Sequence, residues 1–318
     1  MGSGTGEKLF KIFFPYADRR IEEARDNGDI DFVHYTSAEA AAHIIRSQSW
    51  WMRLSSTMND FKEVKYGIDR LDIARATSGL RLRAALDKVC PGLYDEVEGE
   101  LPRWKTTFWL DTFLTSFSTH HRRVEDVVGR LSMWRAYGGA SSVAIILNKQ
   151  IFLGARDTLK IYGSPVAYFD DALFLKKYEQ VIENVDLHSG FLRQQDQAIL
   201  KRSLYNVYRF AILSTKHPGF AEEEEWRIVH SPLSDGPSPL ELTTATIGGT
   251  PQPVMVVPFT DHAAMSTGIR FGDLVDRLII GPTQYPNAQY RAFVSLLGEA
   301  GVKNPEKKVI VSDIPIRT

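Results

Sequence analysis

Residues 217–230, HPGFAEEEEWRIVH, run four glutamates, Glu222 to Glu225, straight into the apolar Trp226-Arg227-Ile228-Val229. An acidic run belongs in water and an apolar strand in a core. The last carboxylate therefore falls at the mouth of a buried strand, where it is poorly solvated unless paired. Glu223 and Glu225 are two apart, so on a strand they share a face. Such a carboxylate either stabilises positive charge that develops during a reaction or pairs with Arg227 or a nearby lysine. Two other places bring polar groups to the ends of elements. His34-Tyr35-Thr36 follows apolar Phe32 and Val33 and precedes a helix cap. Its histidine either caps local backbone or donates a hydrogen bond at the rim of a ligand cleft. Phe117-Ser118 is followed by Met133-Trp134-Arg135-Ala136-Tyr137. Trp134 and Tyr137, three apart, share a helical face, either as a core aromatic pair or with Tyr137 stacked on a flat heterocycle.

Those residues need elements to position them. Alternation and apolar runs predict strands at 30–37, 49–56, 113–119, 141–148, 158–163, 164–169, within EEWRIVHSP, at 253–259, 277–282 and 307–314. Ser37 is a fitting N-cap for a helix over 37–48. Further helices are expected to start in 58–67, to fill 68–112 with a break at Pro91-Gly92, and to cover 127–139 up to a glycine pair. Residues 171–213 read as largely amphipathic helix; Leu200, Leu204, Val207 and Ala211 mark one face. A last helix is expected at 287–299. No Gly/Pro/Ser linker or repeat divides the chain. The expectation is an α+β fold: one domain over 30–318 with a mixed or antiparallel sheet and helical insertions near 68–112 and 171–213, after an N-terminal extension, 1–29.

Composition narrows the class. Of 318 residues, 43% are hydrophobic and 24% charged, as in a soluble globular protein. The formal net charge of −1, from 38 basic and 39 acidic residues, argues against a molecule-wide nucleic-acid or membrane-surface coat. The locally basic RLRAALDK and THHRRVED read as solvated faces. Cys90 is the one cysteine, so no intrachain disulfide or multi-cysteine zinc site can form, which fits a reducing, cytoplasmic compartment. No apolar run reaches membrane-spanning length, and no membrane partner is expected. MGSGTGEKLFKIFFPY has neither the apolar length nor the cleavage site of a leader, and its MGSGTG start reads as flexible. P-loop, dinucleotide-fingerprint, HExxH and nucleophile-elbow motifs do not occur. The adjacent His120-His121 does not set two ligands on one helix face, so no metal is expected.

In its motifs the chain resembles a bacterial family of unknown function, domain-of-unknown-function family 2971. FVHYTSAEAAAHIIRSQSWWMRLSSTMNDFKE, with its Asn59-Asp60 pair, is similar to that family's opening. Phe117-Ser118 with Met133-Trp134-Arg135-Ala136-Tyr137 is similar to its middle motif. Glu223-Glu224-Glu225-Trp226-Arg227 and Ile280-Gly281-Pro282 are similar to its later ones. The order of a histidine, an aromatic and a glutamate also distantly resembles ADP-ribosyltransferases of the His-Tyr-Glu kind. That resemblance implies a split sheet and NAD as substrate. It implies that His34 holds a ribose of NAD, that Tyr137 stacks on nicotinamide, and that Glu225 binds the ribose hydroxyl and stabilises the transition state. Tyr35, Thr36, Ser118 and Trp134 are expected beside His34 and Tyr137 in the NAD site, with Glu223 second to Glu225 as the catalytic carboxylate. Within the run Glu223, Glu224 and Glu225 all remain candidates, and strand phase favours Glu225. The acceptor would be a protein side chain, a nucleic-acid base, or water, the last giving NAD hydrolysis. Toxins and phage-defence effectors share such activities, with an inhibitor or antitoxin protein as a partner. Rival expectations are a non-catalytic module binding a nucleotide or peptide, and a nucleic-acid-processing enzyme using Arg122, Arg123 and Arg130.

Overall fold

The computed structural model describes residues 3–57, 61–137, 141–149, 161–236, 238, 240–259 and 270–315. In chain order the elements used below are α1 (Ser3–Phe13), α2 (Pro15–Asp26), β1 (Ile30–Ser37), α3 (Ala38–Ser47), β2 (Ser49–Leu54), α4 (Phe61–Asp87), α5 (Leu93–Leu110) and β3 (Phe113–His121). Then come α6 (Leu131–Tyr137), β4 (Ser142–Leu147), β5 (Tyr162–Pro165), β6 (Ala167–Tyr168), α7 (Asp171–Leu187), α8 (Gln197–Leu213), β7 (Thr215–Lys216) and β8 (Glu225–His230). The chain continues with β9 (Glu241–Ile247), β10 (Thr250–Pro258), β11 (Val275–Ile280), α9 (Pro286–Glu299) and β12 (Val309–Val311). The fold is α+β with a mixed sheet. By proximity the residues form two compact units, Met1–Glu22 with Leu54–Thr112 and Ser164–Ala221, and Glu23–Arg53 with Phe113–Gly163 and Glu222–Thr318. The stretches read as helical insertions, 68–112 and 171–213, both fall in the first unit.

The first unit is helical because its apolar residues recur at helical spacing. Leu71, Leu82 and Leu86 of α4 pack with Leu93, Leu101 and Phe108 of α5, Phe174, Ile182 and Val185 of α7, and Leu200, Leu204 and Tyr208 of α8. Asp170 caps α7 by accepting from the Leu173 amide, and Asp196 caps α8 by accepting from the Ala198 amide. The break at Pro91-Gly92 is real, with Gly92 left-handed before α5. Val207 and Ala211 are only partly buried; the α8 stripe is rotated toward Tyr205, Tyr208 and Ile212. The start of the chain corrects the flexible reading of MGSGTG, because residues 3–6 lie in α1. Leu9, Ile12 and Phe13 give that helix a buried face, which outweighs the poor propensity of Gly4 and Gly6; residues 1–2 lie outside the described residues.

The second unit carries the main sheet, in the order β12-β11-β4-β1-β3-β2-β10-β9, with β8 pairing β3 and β5. β11–β12 is parallel and the neighbouring pairs are antiparallel, which makes the sheet mixed. Edge strand β9 was not expected, because ELTTATI buries only Ala245 and shows no apolar alternation. β4 is buried along its whole length, as its apolar run predicts. Ser37 caps α3, accepting from the Ala40 amide at 3.2 Å. The helix expected over 127–139 begins only at Leu131. Gly129 holds φ 68°, and a side chain there would strike the Trp134 ring. The glycine pair, Asn59-Asp60 and residues 158–160 lie outside the described residues, and β12 is shorter than the expected strand over 307–314.

In the first unit α4 and α8 approach so closely at Gly67 that a Cβ would overlap the Ile212 carbonyl. Gly67→Ala is expected to cost about 1–3 kcal/mol, read as a lower urea midpoint at unchanged slope. Gly99→Ala, on α5 in open space, is expected to leave stability equal or raise it by up to about 1 kcal/mol.

Candidate functional site

β1, β3 and β8 position the candidate residues. Ser118 pairs with Val33 on one edge of β3 and with Glu225 on the other. β8 fills its edge from Phe113 to Ser118. On the opposite edge β1 pairs only as far as Val33, then continues along β4 to Ser37. β2 takes over that edge of β3, with Trp50 touching Phe117. The sheet is therefore split between β1 and β2, and His34 is the first residue of β1 past the split. Residues paired across strands point to the same face. Val33, Ser118 and Glu225 thus share one face, whereas His34 shares the other with Phe117 and Trp226.

His34 fills the split. Its Nδ1 lies 3.0 Å from the Ser116 carbonyl oxygen, and its ring meets Trp50 at 5.6 Å and Phe117 at 5.4 Å between centroids. Burial lowers its pKa to about 4, against the opposing effect of the Ser116 bond. The ring is neutral at pH 7, so Nδ1–H donates to Ser116 and Nε2 keeps a lone pair. Nε2 has no partner among the described residues. The sequence suggested a donor at a cleft rim; the free nitrogen of His34 is instead an acceptor. Beside it, Trp50 and Trp226 hold buried indole N–H groups with no partner among the described residues.

The acidic run breaks into three environments. Glu223 ends a 3-10 turn, Pro218–Glu223, so it does not share a strand face with Glu225 as expected. Glu224 turns the chain with φ 43°, a left-handed conformation unfavourable for a side-chain-bearing residue. That turn starts β8 one residue later and ends the strand phase before Glu223. Glu225 is buried, accepts from the Ser116 hydroxyl, and pairs with Arg227 at 2.7 Å and 3.1 Å. Both of its oxygens are engaged, on the face opposite His34.

Glu224 is arranged differently. Its Oε2 accepts from the Thr119 hydroxyl, from His121 Nε2 at 2.6 Å and from Arg130 Nη2 at 3.1 Å. Its Oε1 has no partner among the described residues, and 34% of the side chain is exposed. Thr119 and His121 stand opposite Phe32 and Ile30, so Glu224 is held against the face that carries His34. Burial pushes its pKa up, but the Thr119 bond, the Arg130 charge and His121 outweigh that and leave it below the ordinary value. Sequence reasoning left Glu224 as one candidate of three. The available signal was the basic pair of partners, His121 at the end of β3 and Arg130 just before α6.

Arg130 assembles this corner. Its Nε meets Glu125 at 2.6 Å, and its other nitrogens donate to the Glu222 carbonyl at 2.6 Å and the Thr119 carbonyl at 2.9 Å. Its amide donates to the Tyr35 hydroxyl at 2.8 Å. Tyr35 and Trp134 are core residues, their rings 4.8 Å apart, with Trp134 Nε1 donating to the Val128 carbonyl. Trp134 is buried and Tyr137 is 40% exposed, so they do not form one stacked pair. Thr36 lies half-buried on β1, and Ser118 is buried between its two partner strands. Arg122 is paired with Asp31 and Asp276, and Arg123 with Asp29, so among the described residues these arginines do not form an uncompensated basic cluster. The structure brings His34 and Glu224 to one face, and sets Tyr35, Ser118, Trp134 and Glu225 on or within the other.

Among the described residues no group of three or more His, Cys, Asp or Glu side chains is placed to hold a metal, and no helix is long and apolar enough to cross a membrane. The model of a family described as a protein of unknown function, DUF2971, matches residues 133–228. That span holds both the Met-Trp-x-x-Tyr and the Glu-Trp-Arg motifs, and supports the resemblance to that family. No curated protein and no solved structure matches the chain.

Two outcomes test this geometry. Arg227→Met strands a buried carboxylate and is expected to cost about 3–5 kcal/mol, much of it recovered when Glu225→Leu is added; a denaturation cycle measures both. A carboxyl whose folded pKa is depressed adds stability above its unfolded pKa and loses it as pH falls through the folded one. Glu224→Gln is therefore expected to flatten the fall in Tm below about pH 4, relative to wild type.

Proposed function

We propose that the protein is an NAD-dependent ADP-ribosyltransferase that releases nicotinamide and passes ADP-ribose to a protein or nucleic-acid acceptor. The observation that carries this reading is Glu224: one oxygen is held by three donors and the other is open, on the face where His34 offers a free nitrogen. Breaking the bond between nicotinamide and ribose sends its electron pair to nicotinamide and leaves positive charge on the ribose. A rigid, ionised carboxylate stabilises that charge without reorganising. In this reading Glu224 Oε1 faces the ribose hydroxyls, and His34 Nε2 accepts from a second hydroxyl of NAD. The acceptor heteroatom then bonds to the ribose carbon and gives up its proton. Glu225, neutralised by Arg227, serves to hold β8 to β3. Tyr137, exposed at the end of α6, remains the residue proposed to stack on nicotinamide. A toxin or antiviral-defence role, with an inhibitory partner protein, fits this chemistry.

A second reading has its own support. Glu225, the carboxylate that strand phase favours, is closed by Arg227, which fits a domain that binds a nucleotide or peptide without cleaving it. Nicotinamide release from NAD, with cell lysate supplying acceptors, separates the two. Wild type is expected to release nicotinamide, and Glu224→Gln to release it about a hundredfold more slowly at a similar Tm. His34→Ala is expected to weaken NAD binding, and Glu225→Gln to lower Tm first. Release unaffected by Glu224→Gln would remove Glu224 from the reaction. NAD binding without release by any form would establish the binding module. Free ADP-ribose equal to the nicotinamide released would mark water as the acceptor.

A further inference from the structure

The first unit contains a cavity, open at its mouth, under the α1–α2 turn and between α7, α8 and the β6–β7 pair. Its wall is apolar and largely aromatic, with Phe14, Tyr16, Phe169, Phe174 and Phe210 among the lining residues. Edge contacts fix these rings: Phe14 meets Phe210 at 6.1 Å and Tyr16 meets Phe169 at 5.0 Å. Tyr16 is anchored further by its hydroxyl, which donates to the Val166 carbonyl at 3.1 Å. A wall held this way is preformed rather than collapsible, as small-molecule sites are.

Among the described residues Lys177 is the one cation in that wall. Its ammonium donates to the Gln180 side chain at 2.9 Å and has no carboxylate partner among the described residues. Other cations of this unit do have one: Lys88 pairs with Asp186, Lys105 with Asp72, Lys201 with Glu96, and Lys216 with Glu63. Desolvation lowers the Lys177 pKa, and the positive charges of Arg19 and Lys176 lower it further. Lys177 thus stands at the edge of an apolar cavity with no carboxylate partner among the described residues. A half-buried ammonium gains most from a charged hydrogen-bond acceptor.

We infer that this cavity is a binding site for an amphipathic monocarboxylate, its apolar body against the aromatic wall and its carboxylate on Lys177. The site belongs to the helical unit and is independent of the NAD reading. Calorimetric titration of the full chain with octanoate, and with uncharged octanamide, tests it. Octanoate is expected to bind at one site per chain and at least about tenfold more tightly than octanamide, the worth of one charge-assisted hydrogen bond. Lys177→Met is expected to erase that difference while leaving octanamide binding in place. Ala211→Trp, which fills the cavity, is expected to abolish both. Equal affinity of wild type for the two probes, unsaturable binding, or octanoate binding unchanged in Lys177→Met would overturn the inference, and the wild-type comparison holds even where a variant fails to fold.

Discussion

Arg130 is the residue through which the candidate site is held together. One guanidinium meets a carboxylate of α6's approach, two backbone carbonyls and the Glu224 carboxylate, while its own amide holds the Tyr35 hydroxyl. Through it β1, the end of β3 and the acidic run are tied together. A planar fork of donors can satisfy so many acceptors in different directions; an ammonium at this place would leave several unpaired. The run of glutamates is intelligible in these terms. It is a loop whose carbonyl and carboxylate oxygens converge on one cation, and whose last member is pulled into the strand to pair with Arg227.

Two carboxylates adjacent in sequence therefore have opposite fates. Glu225 is closed on both oxygens, and its charge is consumed by the fold. Glu224 is closed on one oxygen and open on the other, and its left-handed backbone is the cost of that exposure. His34 shows the same division: one nitrogen satisfies the Ser116 carbonyl at the split in the sheet, where the ladder between β1 and β3 has ended, and the other is left over. Residues with one half fixed and one half free are suited to meeting a ligand without rearranging.

The strands carrying these residues were legible from alternation, and the helices of the first unit from apolar spacing and Asp caps. What escaped was the relation between strands. Phase within IDFVHYTS or EEWRIVH says which residues share a face of that strand. It says nothing of which face of a neighbour they join, and the pairing of Ser118 with both Val33 and Glu225 decides that His34 and Glu225 part company. Glu224 escaped for a local reason: nothing in a run of four identical residues marks the one that adopts a positive φ. The helix beginning at Leu131 was misjudged at its start because Gly129 holds a positive φ there and must be bare against the Trp134 ring. α1 was overlooked because its two glycines concealed Leu9, Ile12 and Phe13.

The two units are woven from alternating segments of the chain, three apiece. No single cut yields either one alone: truncation between Leu54 and Ala221 takes segments from both, and truncation after Ala221 takes them from the sheet unit only. Synthesis meets them in a definite order. The helical unit has all its segments once Ala221 has emerged, while the sheet still lacks β8 through β12. A ribosome paused after the acidic run would thus carry one finished body and one set of unpaired edges, the aggregation-prone stage for a sheet of this topology.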